Sequence, residues 1–249
     1  MPQMGYQGKI GRKPERVLNN MKETIFTIPI SEVFEPRDGC PLCRMHDTLE
    51  ERALDAVMGA AMMEPAIRIQ TNRLGFCTAH FDGMLMRKNR LSLALMLESH
   101  LKEVEKLLPG EREEKAGKAD VRRAEQMLCS CYVCDKIDNS MEHMVSNIFE
   151  LYRKEESFRV LYADQPFVCL PHYIELTKRA QKAIPKRELG EFYSITGTLL
   201  RRGLSEIHGD VDTFCRMFDY RNAGKTEKSP QVKVAVERAI KFLTTHTPR

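Results

Sequence analysis

Along most of this chain, apolar residues return every three or four positions and are separated by short breaks rich in Pro, Gly or charge, the pattern of amphipathic helices. Thr24 to Ile30 mixes β-branched and apolar residues and reads as a short extended segment, with Pro29 placing it at an edge or outside any sheet. Pro36 and Gly39 then turn the chain. From Arg44 to about Met63, Met45, Leu49, Ala53, Ala56, Val57 and Ala60 keep helical spacing, and Pro65 ends the run. A second helical pattern extends from Phe81 towards Leu107 and stops at Pro109-Gly110. The charged stretch Gly110 to Lys118 reads as a connector. Helix resumes from Ala119 to Leu128.

The second half shows the same rhythm. Ile137, Met141, Met144, Val145, Ile148 and Tyr152 form one apolar stripe, and a further helix runs from Tyr173 to Ile184 before Pro185. Beyond it, Glu188 to about Tyr220 is periodic, but Gly197, Gly203 and Gly209 argue against one continuous helix, since each costs about 1 kcal/mol in a helix interior. Asn222-Ala223-Gly224 closes that segment. Ser229 and Pro230 cap and open a last helix through Val234, Ala235, Ala239, Ile240 and Leu243. The expected fold is all-α, apart from the one short extended segment.

Set onto these elements, one cysteine-histidine pattern occurs twice. Cys40-Pro41-Leu42-Cys43 is followed by Cys77-Thr78-Ala79-His80, and Cys131-Tyr132-Val133-Cys134 by Cys169-Leu170-Pro171-His172. Cys43 and Cys77 stand 34 positions apart, Cys134 and Cys169 35. Each copy reads as knuckle, helix, loop, Cys-x-x-His, helix, so the chain is expected to consist of two duplicated zinc-knuckle units and a C-terminal helical segment. The expected division is a basic tail at 1–20, a first unit at 21–110, a second at 111–184, and C-terminal helices at 185–249 packed on the same body.

Three thiols and one imidazole per copy are the ligand set of a closed tetrahedral zinc site. The direct reading pairs each knuckle with the Cys-x-x-His of its own copy: Cys40, Cys43, Cys77 and His80 around one zinc ion, Cys131, Cys134, Cys169 and His172 around a second. Exchange of partners between copies is possible and not excluded by the spacing. A Cys-x-x-Cys at a helix start is also a dithiol geometry, but the strand and βαβ context of thioredoxin-like oxidoreductases is absent. Iron-sulfur ligation is not separable from zinc at this level, and buried free cysteines would not account for the repeated spacing. Cys129, two residues before Cys131, is a spare thiol or an alternative ligand; His46 reads as a solvated helix residue, and His100 and His143 lack partners at a meaningful spacing.

Composition changes this picture little. The 249 residues are 42% hydrophobic and 30% charged, with no apolar run approaching a membrane span and no secretion-signal pattern at the start. A cytoplasmic protein with reduced cysteines is the expectation. Of the formal charge of +4, residues 1–20 carry +3 through Lys9, Arg12, Lys13 and Arg16 against Glu15, leaving a nearly neutral body. This tail reads as disordered, and Met21 is an alternative start. The neutral body weakens the case for nucleic acid as a partner.

The segment His208 to Arg221 is the strongest candidate for a role beyond folding. In a helix, His208, Asp212 and Cys215 share a face that suits an oriented Cys-His pair or a weak metal site. The plainer reading has Asp210, Asp219 and Arg221 forming caps and ion pairs around a buried Phe214-Phe218 stripe.

Cys-Pro-Leu-Cys at 40–43, Gly-Phe-Cys-Thr-Ala-His at 75–80, His-Gly-Asp at 208–210 and Phe-Asp-Tyr-Arg-Asn at 218–222 resemble an uncharacterised family of cytoplasmic proteins from anaerobic Gram-positive bacteria. The resemblance covers nearly everything after Met21. It implies a bacterial source and carries no activity or catalytic role. Three functional classes remain. A zinc-stabilised helical scaffold that binds a protein or a small polar ligand leads. An RNA- or DNA-binding zinc protein, using Arg87 to Arg90, Arg122-Arg123 and Arg201-Arg202, is second. A thiol-dependent or iron-sulfur redox enzyme is third.

Overall fold

The computed structural model describes residues 30–108, 117–218 and 229–244, apart from the side chains at 61 and 62. The described residues form α-helices and one 3₁₀ turn, with no strand among them. The first half contains α1 (Ile30–Phe34), α2 (Pro41–Met58), the 3₁₀ turn at Ala60–Met63, α3 (Pro65–Leu74), α4 (Thr78–Met86) and α5 (Arg90–Glu105). The second contains α6 (Lys118–Cys129), α7 (Tyr132–Lys154), α8 (Glu156–Ala163), α9 (Leu170–Ala183) and α10 (Lys186–Met217), followed by α11 (Pro230–Lys233) and α12 (Ala235–Thr244). In each half a helix that follows a Cys-x-x-Cys is succeeded by a second helix, one opened by a Cys-x-x-His, and a fourth, α2 to α5 and then α7 to α10.

Several sequence expectations are corrected. Of the extended segment, 24–29 lie outside the described residues, and Ile30 opens α1 instead. The expected loop after each knuckle helix is itself helical. Pro65 starts α3 rather than merely ending α2, because a proline at the first helical position loses no intrahelical bond. In the second half α8 fills the same place. The expected helix from Phe81 to Leu107 is broken at Arg87, where Asn89 turns the chain and its side chain caps α5 by accepting from the Ser92 N–H at 3.2 Å. Conversely, α10 runs unbroken for 32 residues through all three glycines.

Packing explains α10. Gly203 is buried, and a Cβ there would stand 2.5 Å from the Cβ of Phe167 and 3.0 Å from Cε2 of Phe242. The missing side chain lets α10 approach the Phe167–Phe242 ring pair, whose centroids are 5.7 Å apart. Tertiary contact thus outweighs the intrinsic helix penalty of glycine. Gly203→Ala is expected to destabilise the protein by about 1–2 kcal/mol in denaturant unfolding, overpacking exceeding the roughly 1 kcal/mol gain in helix propensity.

The core runs through both halves. Helix α2 packs along α7, α3 on α5, α8 on α7, and α10 on α9. Aromatic rings close the second half: Phe192 meets Phe149, Tyr152 and Tyr162 at centroid distances of 5.6, 5.1 and 5.7 Å. Helix α1 of the first half crosses to this cluster, with Phe34 on Phe158 at 5.2 Å. Buried Gln165 ties the two together by donating to the Phe34 carbonyl at 2.7 Å. Such contacts make the halves interdependent rather than separable lobes. At the C-terminal end the Ser229 hydroxyl accepts from the Val232 N–H with Pro230 in the first turn, and α12 lays Phe242 against α9 and α10.

Candidate metal centres

All four cysteine motifs begin a helix in one way. Cys40, Cys77, Cys131 and Cys169 occupy the N-cap positions of α2, α4, α7 and α9 with extended backbone, and none makes a side-chain cap bond. The fourth motif residue, Cys43, His80, Cys134 or His172, then lies one turn up on the side of its capping cysteine. Proline supports the turn at 41 and 171. Each motif thus aims two donors off one helix end, where free N–H groups and the helix dipole favour thiolate.

Two such ends meet at each cluster, and they come from different halves. Cluster A joins Cys40 and Cys43 to Cys169 and His172; cluster B joins Cys77 and His80 to Cys131 and Cys134. The within-copy pairing expected from sequence is therefore corrected. Cys77 shares a cavity wall with His46 and Glu50 near the middle of α2 and with Cys131 and Cys134 at the start of α7. Tyr132 and Ile137 share a cavity wall there with Ala53, Ala56 and Val57. The Gly75 carbonyl accepts from the Tyr132 N–H at 2.9 Å and fastens the two motifs together. Gly75 has φ of 61° and lies so close to the His100 ring that a Cβ would sit 3.1 Å away.

Within each cluster the donor atoms all lie within 4.8 Å of one another. In cluster A the Cys43 and Cys169 sulfurs are 3.6 Å apart, and Nδ1 of His172 is 3.5, 3.4 and 3.1 Å from Cys40, Cys43 and Cys169. In cluster B the Cys77 and Cys134 sulfurs are 3.9 Å apart, and Nδ1 of His80 is 3.2, 3.1 and 3.5 Å from Cys77, Cys131 and Cys134. A tetrahedron with Zn–S near 2.3 Å and Zn–N near 2.0–2.1 Å has S···S edges of about 3.8 Å and S···N edges of about 3.6 Å. The two S···S separations lie within about 0.2 Å of that edge, and the S···N separations are about 0.1–0.5 Å shorter than theirs. The sulfurs are far too separated for disulfides, whose sulfurs stand about 2.05 Å apart, and all eight cysteines are free.

The electrostatics of each cluster divide its thiols. At Cys40, burial raises the thiol pKa, but hydrogen bonds from Cys169, Cys43 and His172 overcome it and hold Cys40 well below the ordinary thiol range. Those same contacts drive Cys43 up, led by its hydrogen bonds to Cys169 and Cys40 and then by burial. Burial opposes charge on His172, yet hydrogen bonds to Cys169 and Cys40 carry its pKa up to about 10. In cluster B, burial raises Cys131 and Cys134, the latter also through the neighbouring Cys131 charge. Left to themselves, the clusters do not hold all their thiolates. A coordinating cation ionises such thiols outright.

Glu50 is the residue that sequence reading missed. Its carboxylate lies 3.1 Å from Nε2 of His80, leaving Nδ1 facing the sulfurs, the carboxylate-histidine arrangement that fixes a metal-binding imidazole. The only signal was its place seven residues, two helical turns, beyond Cys43. Glu50→Ala is expected to weaken ion retention at cluster B about 10- to 100-fold while leaving cluster A unchanged, as read by competition with a chromophoric chelator.

The remaining candidates are not drawn into the clusters. His46 is half-buried, with donor atoms of His46, Asp47 and Glu50 within 4.8 Å of one another. Cys129 is exposed at the end of α6, in the wall of the cavity over cluster B. Nδ1 of His100 lies 2.9 Å from the Asn72 carbonyl, and His143 is exposed. On α10, Asp212 pairs with Arg216 at 2.9 Å rather than orienting His208, and Cys215 is exposed. Asp210 forms an ion pair with Arg238, while Phe218 is 76% exposed and does not belong to a buried stripe. Asp219 and Arg221 lie outside the described residues. None of the described helices is long and apolar enough to cross a membrane.

Fold and clusters together define an all-helical protein with two sulfur-rich four-donor centres suited to metal ions. The chain belongs to a family of unknown function, DUF6062, whose model matches residues 21–249. Searches of curated proteins and of solved structures found no match.

Proposed function

We propose that this is a structural zinc protein in which two ions, each held by three thiolates and one imidazole, fasten the halves of a helical binding scaffold. The observation that carries this reading is the pair of complete four-donor sets, each with all its donor atoms within 4.8 Å of one another. Four protein ligands leave no position for water or substrate, so the sites suit stability rather than hydrolytic catalysis. Multi-iron clusters fit less well, because sulfurs bound to different irons stand farther apart than ligands sharing one ion. Cross-pairing supports the fastening role: each ion joins helix ends separated by more than fifty residues, and its release frees both. Purified without added metal, the protein is expected to contain about two zinc atoms per chain by elemental mass spectrometry. Iron in their place, or no metal in folded protein, would overturn the proposal.

A further inference from the structure

The two clusters are built alike but covered differently. Over cluster A lies a cavity of about 280 Å³ whose wall includes Cys40, Cys43, Arg44 and Asp47 of the knuckle and Cys169. Helix α12 closes it. Phe242 and Lys241 enter the wall, and Lys241 pairs with Asp47 at 3.1 Å. All four donors of cluster A are buried as a result, none more than 6% exposed.

Over cluster B lies the corresponding cavity, of about 690 Å³, with Cys131, Cys134, Asp135 and Asp138 at the places taken by Cys40, Cys43, Arg44 and Asp47, and Cys77 at that of Cys169. Among the described residues no counterpart of α12 lies over it, and Cys77 and Cys134 are only half-buried. Its rim carries Leu128, 87% exposed, and two exposed carboxylates. Neither Asp135 nor Asp138 has an ion-pair partner among the described residues, whereas Asp47, the counterpart of Asp138, is paired with the lysine of α12.

We infer that the cavity over cluster B is a docking groove for a cationic amphipathic helix of a partner protein, seated as α12 is seated over cluster A. Three features specify the occupant. A lysine or arginine on the helix meets Asp138, as Lys241 meets Asp47. A second cation meets Asp135, where the sequence has exchanged Arg44 for an acid and made this groove more negative than the one α12 fills. An apolar side chain one turn away covers Leu128. The inference goes beyond the structural-metal reading and rests on the helix arrangement rather than on the identity of the ions.

The chain supplies its own probe. A fluorescent peptide of residues 229–244, which carries Lys233, Arg238 and Lys241 against Glu237, is titrated with the full-length protein and followed by anisotropy. Saturable binding is expected, weakened about tenfold or more in Asp135→Lys/Asp138→Lys and also weakened in Leu128→Glu, whose side chain is too exposed to matter for folding. Glu98→Lys/Glu105→Lys, a matched charge change on exposed residues of α5, is expected to bind as wild type. Metal content measured on the same samples separates failure of this inference from failure of the metal reading. The inference is overturned by absence of saturable binding, by equal losses in the α5 control, or by binding indifferent to Asp135, Asp138 and Leu128, which would mean exchange with the intrinsic α12.

Discussion

Stripping both ions with a strong chelator is expected to lower the melting temperature by at least about 10–20 °C and to leave a helical but loosely packed chain. A structural zinc site contributes an apparent 10–16 kcal/mol or so to folding, comparable with the whole stability of an ordinary domain. Much of that is offset here, since the apolar core around Phe34, Tyr162 and Phe192 forms without any metal. Even a net loss near 5 kcal/mol gives the stated shift, at about 2–4 °C per kcal/mol for a chain of this size. The expected signature is retained far-UV circular dichroism, lost near-UV signal and new binding of a hydrophobic dye. Release should occur in two steps. Cluster B, with Cys77 and Cys134 half-exposed beneath an open cavity, gives up its ion first; cluster A, under α12, follows only when that helix lifts. Verified removal of both ions with no change in melting or packing would show that the clusters are incidental to the fold.

Much of this arrangement was legible in the chain because the relevant signals are local. An N-cap position, a proline in the first turn and a donor three residues further on are set within four residues, so the four motifs and their helix starts could be read directly. Apolar periodicity likewise revealed the stripe of α7, buried from Val133 to Tyr152. What could not be read depended on how distant helices lie. A four-residue motif contributes two donors without naming the other two, and that choice was made by the packing of distant helices, α2 on α7 above all. Gly203 illustrates the same limit, since its helix penalty is intrinsic but the Phe167 contact that outweighs it is tertiary. Glu50 is one more case. Its partner, His80, comes from a different helix, so its spacing from Cys43 within α2 was not enough to identify it.

The partnership between halves is tested most directly by counting metal in two paired variants. If each ion bridges the halves as cluster A and cluster B describe, Cys43→Ala and Cys169→Ala fall in one site, and the double variant should lose one ion and keep the other. Cys43→Ala with Cys77→Ala should instead damage both sites and lose both ions, together with a far larger fall in melting temperature. A single missing thiolate is expected to suffice against a competing chelator, because the site loses one of its soft ligands and its closed four-donor shell. Serial dialysis against a mild chelator followed by elemental analysis reads the count. The account expects one ion for Cys43→Ala/Cys169→Ala and none for Cys43→Ala/Cys77→Ala; the reverse order would mean that each knuckle closes on the Cys-x-x-His of its own half, and the cross-braced architecture would be wrong.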